Sequence, residues 1–218
     1  MPRSRLSTAP SGLTSPARRR NILPLTASDA PVNPTPQILV GCNEKVVCLR
    51  VLGKGSFQNS AGVKQFAMAM IQRGHREFVV DLAECTVMDS TFMGTLTGVA
   101  LKLRGLGSGH LHVVHANERN SSLLRGLGLD QILDLADDAS ADGDSFDDTL
   151  AGSDQAPVGS ASEDGSDPRR QTAETMLAAH QALIDADPEN LSRFKDVLDY
   201  LKQDLARGTG NDSGPHAD

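Results

Sequence analysis

The 218-residue chain has no tryptophan, one tyrosine and only 3% aromatic residues. Gly, Ser, Asp and Pro gather in two stretches that bury little apolar surface, so the ordered core is expected to be smaller than a chain of this length allows. Cysteine is scarce: Cys42, Cys48 and Cys85 each lie in or beside an apolar run. Their odd number and the lack of CxxC spacing argue against a disulfide framework or a zinc site and for a reducing, cytoplasmic compartment. No apolar run approaches the roughly 18 to 20 residues of a membrane span. The first residues carry arginines but no continuous apolar core, so a secretory signal is not expected. A net charge of -7 speaks against general nucleic-acid binding.

Five segments follow from composition and periodicity. Residues 1–36 are basic and rich in Pro, and read as a disordered arm. Residues 37–136 read as the compact unit. Residues 137–168 form an acidic stretch with Asp137, Asp138, Asp142, Asp144, Asp147 and Asp148 in close order, and read as an extended linker. Residues 169–207 read as a helical hairpin, and 208–218 as a disordered tail.

Within the compact unit, Lys45–Leu52 reads as a strand ending at a Gly-Lys-Gly turn. A helix capped by Asn59 or Ser60 then places Val63, Phe66, Ala67, Met70 and Ile71 on one face and ends at Gly74. Phe78–Leu82 reads as a strand covered on both sides. Asp89–Leu106 is predicted as a helix with Phe92, Leu96, Val99, Ala100 and Leu103 on its buried stripe. Leu111–Val114 is a further strand, Asn117–Arg125 a short helix stopped by Gly126 and Gly128, and Ile132–Leu135 an edge strand or helix. Strands alternating with helices imply an α/β fold with a mostly parallel sheet.

In the hairpin, Met176, Leu177, His180, Leu183 and Ile184 share one side of the first helix. Asp187-Pro188 starts the second, which carries Leu191, Phe194, Val197, Leu198, Leu201 and Leu205. Two short helices alone bury too little to be securely stable. Their apolar faces are expected to meet the first domain, a second copy of the chain through self-association, or a separate partner.

The richest stretch chemically is FVVDLAECTVMDSTFMG, Phe78 to Gly94. An apolar run gives way to Asp89-Ser90-Thr91 at the start of an amphipathic segment. Asp89 and Ser90 compete for the N-cap. If Asp89 caps, Ser90 is the first helical residue and its hydroxyl faces solvent. A phosphate there meets the positive end of the helix dipole, so the modified chain stays folded and the added charge acts on a docked partner. Gly94 and Gly98, one turn apart, leave a shallow strip for another backbone, or serve close packing on the chain's own sheet. Gly53-Lys54-Gly55-Ser56 lacks the spacing of a phosphate loop. It reads as a strand-to-helix turn on the same rim as Ser90, with Lys54 and Ser56 placed to meet a partner.

DLAECTVMDSTFMG, the helix after it and LLRGLGLDQILDL resemble the STAS domain of bacterial anti-sigma-factor antagonists, over roughly residues 38 to 136. The resemblance implies a four- or five-stranded sheet packed by helices. It implies phosphorylation of Ser90 by an anti-sigma-factor serine kinase, with Thr91 as a second acceptor. The unmodified form binds the kinase, phosphorylation breaks that complex, and a PP2C-type phosphatase resets it. Lys54, Ser56, Asp89, Ser90, Thr91, Met93 and Gly94 form the expected partner surface. The family usually continues Ser-Ser/Thr-Gly-Leu-Gly; here Phe92 replaces the first glycine and is expected to place bulk at the mouth of the helix. The alternative is a constitutive STAS scaffold subunit of a larger assembly, such as a lipid-transport complex.

No enzyme activity, cofactor or metal is expected. Ser90 as a nucleophile would need a positioned base, and no histidine lies near it in sequence. His110 and His112 share one face of a strand and His115 lies on the other, without a third ligand for a durable metal site. The Asp run around Gly143 lacks the closing Glu of a calcium loop. Cys85 is expected to be a buried, inert thiol.

Overall fold

The structure, a computed structural model, describes residues 37–42, 45–136, 156–157 and 167–208. Strand β1 (Gln37–Cys42) runs antiparallel to β2 (Val46–Gly55). After α1 (Phe57–Gln72), strand β3 (Glu77–Asp81) returns parallel to β2. The short β4 (Cys85–Met88) pairs with the far end of β2 and leads into α2 (Ser90–Gly105). Strand β5 (His110–Val114) lies parallel to β3. Helix α3 (Glu118–Gly126), a 3-10 turn at Leu129–Gln131 and the two-residue β6 (Asp134–Leu135) complete this edge. A two-residue β7 (Ala156–Pro157) pairs antiparallel with β1. The sheet order is β6-β5-β3-β2-β1-β7, with β4 joined to β2 off that path. Setting the two-residue strands aside, this is the expected five-stranded, mostly parallel α/β sheet.

Alternation puts Val47, Leu49 and Val51 of β2, Phe78 and Val80 of β3, and Leu111 and Val113 of β5 in one core. Val63, Ala67, Met70 and Ile71 of α1 and Phe92, Leu96, Val99, Ala100 and Leu103 of α2 close it. Burying each large side chain stabilises the fold by about 1.5–3 kcal/mol. Both predicted helical stripes are therefore the observed ones, apart from Phe66, which is only partly buried.

Several boundaries differ from the sequence reading. β1 was not anticipated as a strand. β2 continues through Gly53-Lys54-Gly55 because β4 offers it hydrogen-bonding partners there, with a register shift between Gly53 and Lys54. The cap of α1 is Ser56, not Asn59 or Ser60. Asn59 instead reaches back, its Oδ1 accepting from the Ser56 N–H at 2.9 Å, as the third residue of a capping box does. The acidic run at 137–148 lies outside the described residues.

Asp81, 1% exposed, ties the middle of β2 to the C-terminal ends of β3 and β5. Its carboxylate accepts from Arg50 Nε at 2.7 Å, His115 Nδ1 at 2.9 Å and the Ala83 N–H at 3.0 Å. His115 makes this contact from a left-handed backbone, φ 54. That turn brings its ring to the Glu77–Val79–Asp81 face, the side His110 and His112 occupy, rather than the opposite one expected.

The C-terminal segment is a hairpin of α4 (Pro168–Ala186) and α5 (Leu191–Gly208) joined by a 3-10 turn at Pro188–Asn190. Of the three expected destinations for its apolar face, the structure shows the first domain: α4 packs on α2 and α1, and α5 packs on α4. The turn is anchored. Asn190, 2% exposed, donates to the carbonyls of Leu127 and Leu183, both at 2.9 Å. Arg193 Nη1 donates to the Gly126 carbonyl at 2.8 Å.

Replacing Asp81 by Ala removes a buried charge partner from Arg50 and His115. The variant is expected to lose about 3 kcal/mol of unfolding free energy in urea. Asp81→Asn, which keeps an acceptor, loses less.

Candidate partner-binding site

The site is organised by one carboxylate. Asp89 is the N-cap of α2, with Oδ1 accepting from the Phe92 N–H at 2.8 Å. Its other oxygen, Oδ2, accepts from the N–H of Phe57, the first residue of α1, at 2.8 Å. A single side chain thus satisfies an orphan donor on each of two helix starts. The Asp89 N–H in turn donates to the Gly55 carbonyl at 3.0 Å. Lys54, Ser56, Asp89 and Ser90 consequently share one rim, as the sequence suggested, with Lys54 exposed and the other three half-buried. Phe57, 43% exposed, adds an apolar element that sequence reasoning did not single out.

Phe92 does not stand at the mouth of α2. It is 1% exposed and points into the core, where a Cβ on Gly55 would fall 2.5 Å from its ring. The missing side chain at Gly55 makes room for the bulk at position 92, so the expected obstruction is absent.

Ser90 is the first residue of α2, capped by Asp89, but its hydroxyl does not simply face water. Its Oγ lies 3.0 Å from Nε2 of His180 on α4. His180 is 3% exposed, and its ring meets Phe194 of α5 at a centroid distance of 5.1 Å. Its Nδ1 lies 2.8 Å from the Met176 carbonyl. A carbonyl only accepts, so Nδ1 carries the proton, and in the neutral ring Nε2 accepts from the Ser90 hydroxyl. The fold thereby supplies the histidine that was not near in sequence. The ring is backed by a carbonyl, not by the carboxylate of a hydrolytic triad.

One turn further along α2, the two helices meet backbone to backbone. A Cβ on Gly94 would overlap the Ala179 carbonyl, and one on Gly98 would sit 3.6 Å from the Ala182 Cβ. The glycine strip therefore does admit another backbone, as one of its two expected uses required, but that backbone is the chain's own α4. Met93 and Gly94, expected on an open partner surface, are buried, and Thr91, expected as a second acceptor, is 3% exposed. Thr95 Oγ1 donates to the Thr91 carbonyl and Thr97 Oγ1 to the Met93 carbonyl, both at 2.8 Å, which satisfies hydroxyls that would otherwise be stranded in this contact.

The remaining candidates lie elsewhere. His110 Nδ1 is 2.9 Å from Asp134, and His112 Nε2 is 3.4 Å from Glu77. Among the described residues no group of His, Cys, Asp and Glu is arranged to hold a metal ion. Cys85 is 1% exposed, and burial pushes its thiol above the ordinary value. No described helix is long and apolar enough to cross a membrane.

Asp89→Ala is expected to cost about 2 kcal/mol of stability, and Asp89→Asn less than half of that, measured by urea unfolding. Gly94→Ala is expected to loosen α4 at a cost of about 1–3 kcal/mol, read as faster amide exchange in α4. Gly98→Ala, with ordinary contact distance available, is expected to stay within about 0.5 kcal/mol of the parent.

Among solved structures, the fold is similar to a Thermotoga maritima protein assigned as an anti-sigma factor antagonist, with 18% identity, 50% of this chain and 92% of that chain covered, and a TM-score of 0.43. It is also similar to the anti-sigma factor antagonist SpoIIAA in its unphosphorylated form, with 15% identity, 53% and 98% covered, and a TM-score of 0.41. No curated protein sequence matches the chain. Residues 37–141 match the STAS domain family. The STAS-domain match thus covers β1 to β6 with α1, α2 and α3, and α4 and α5 lie beyond the matched segment.

Proposed function

We propose that this protein is a non-enzymatic, cytoplasmic anti-sigma-factor antagonist that works by partner switching. Without phosphate on Ser90 it binds an anti-sigma-factor serine kinase. The Ser90 hydroxyl then attacks the γ-phosphorus of the kinase's ATP: the new O–P ester forms, the bond to ADP breaks, and a base on the kinase takes the hydroxyl proton. The phosphorylated chain leaves its partner, and a PP2C-type phosphatase hydrolyses the ester. The observation that carries this reading is the position of Ser90 as the first residue of α2, with Asp89 already filling the N-cap. A phosphate at that position is tolerated by the helix dipole and free N–H groups. At a desolvated interface it adds a charge without a partner, which costs about 2–5 kcal/mol, or roughly 30- to several-thousand-fold in affinity. Lys54, Ser56 and Phe57 on the open rim extend the surface on which such a partner sits.

The second reading is a constitutive scaffold subunit of a larger assembly. One observation favours it: Ser90 is already hydrogen-bonded within the chain, to His180.

Phosphopeptide mass spectrometry on the protein purified from its native cells separates the two. The switch predicts phosphate on Ser90 under some growth conditions, its loss in Ser90→Ala, and loss of the co-purifying kinase in Ser90→Asp. A Ser90 peptide unmodified under every condition, with partners indifferent to Ser90→Asp, contradicts it.

A further inference from the structure

We propose that the α4–α5 hairpin is an intramolecular cover for Ser90, and that a phosphate on Ser90 and the docked hairpin exclude each other. The inference deepens the reading of Ser90 as a regulated hydroxyl and rests on it. The hairpin lies beyond the matched STAS segment, yet it occupies the surface around the domain's candidate phosphoacceptor.

Four features of the contact argue for exclusion. The first is space. His180 Nε2 stands at hydrogen-bond distance from Ser90 Oγ, 3.0 Å, so a phosphorus bonded to that oxygen and its three further oxygens require ground the imidazole now holds. The second is stiffness. α4 is seated on α2 through the Gly94–Ala179 backbone contact, which has no side chain between the helices to rearrange. Any retreat of His180's helix therefore opens the whole strip. The third is solvation. The His180 ring is packed on Phe194 and is 3% exposed, so a phosphate pressed into this place exchanges water for an aromatic wall. The fourth is charge. The Asp89 carboxylate is adjacent in the chain and is held at the helix start by its two N–H partners, and like charges repel.

The hairpin is built to lift while remaining attached. Its turn is held at the end of α3 by the Asn190 and Arg193 hydrogen bonds to the Leu127 and Gly126 carbonyls, away from the Ser90 end of α2. The contact that opens is formed by small residues, Gly94 and Gly98 against Ala179 and Ala182. A strip of this kind accepts a helix with small residues on its face. In the docked state the Lys54–Ser56–Phe57 rim stays open, and it is there that a partner meets the unmodified chain; the kinase reaches the Ser90 hydroxyl when the hairpin lifts.

The test is a cross-link in the full chain. Gly98→Cys with Ala182→Cys places two Cβ atoms about 3.6 Å apart, close to the Cβ separation of about 3.8 Å found in disulfides. Cys42, exposed, is changed to Ser to prevent mispairing. Phosphoserine is installed at position 90 during translation and compared with serine under oxidised glutathione. The serine form is expected to close the disulfide, and the phosphoserine form to close it at least 10-fold more slowly. Equal rates overturn the proposal, as does failure of the serine form to cross-link. A second measurement does not depend on the cysteines: amide exchange in the otherwise unaltered chain should show α4 losing protection with phosphoserine at position 90, while β3 and β5 keep theirs. Unchanged protection of α4 overturns the proposal. Because no kinase is involved, these outcomes stand apart from whether cells modify Ser90, which the phosphopeptide measurement decides.

Discussion

The close approach of α4 to α2 constrains everything around Ser90. Two helices reach backbone contact only where side chains are missing or small, and here Gly94 meets the Ala179 carbonyl while Gly98 faces Ala182. That approach sets where His180 stands, and His180 sets the environment of the Ser90 hydroxyl. The other constraint is Asp89, whose two carboxylate oxygens hold the starts of α1 and α2 together. One carboxylate therefore fixes the platform, and two glycines fix the distance of what lies over it.

The main sheet and its helices were legible because their patterns are strong. The Val-rich β2, β3 and β5 and the stripes of α1 and α2 carry enough large apolar residues that periodicity alone finds them. β4 was not separated from the run that contains it, because it spans only Cys85–Met88 and its pairing depends on the distant end of β2. The start of α1 was misplaced because Ser56, Asn59 and Ser60 are all competent caps, and only the return of the Asn59 side chain to the Ser56 N–H shows which one closes the helix.

The candidate site was half legible. Asp89 as cap and Ser90 as first helical residue follow from residue type and position. The cover does not. A search for apolar stripes weights large residues: in α4 it selects His180 and Leu183, which are buried, together with Met176, Leu177 and Ile184, which are only half-buried. What it misses is Ala179 and Ala182, which with His180 meet α2 at Gly94, Gly98 and Ser90, because tight helix contact selects for smallness rather than hydrophobic bulk. Phe92 was misjudged for a related reason: its space is provided by Gly55 at the end of β2, which one-dimensional spacing does not reveal.

The chain thus combines a segment that matches the STAS domain family with a helical element that packs over Ser90. In such an arrangement the affinity of a partner depends on how often the cover is open as well as on the contacts the partner makes, since a fractionally populated competent state weakens apparent binding in proportion. The most direct measurement is a nuclear Overhauser contact between the Ser90 β-protons and the His180 ring in the full-length chain. The account predicts a strong contact in the unmodified protein and its disappearance when Ser90 carries phosphate. No contact in the unmodified protein, or one that survives phosphorylation, would contradict it.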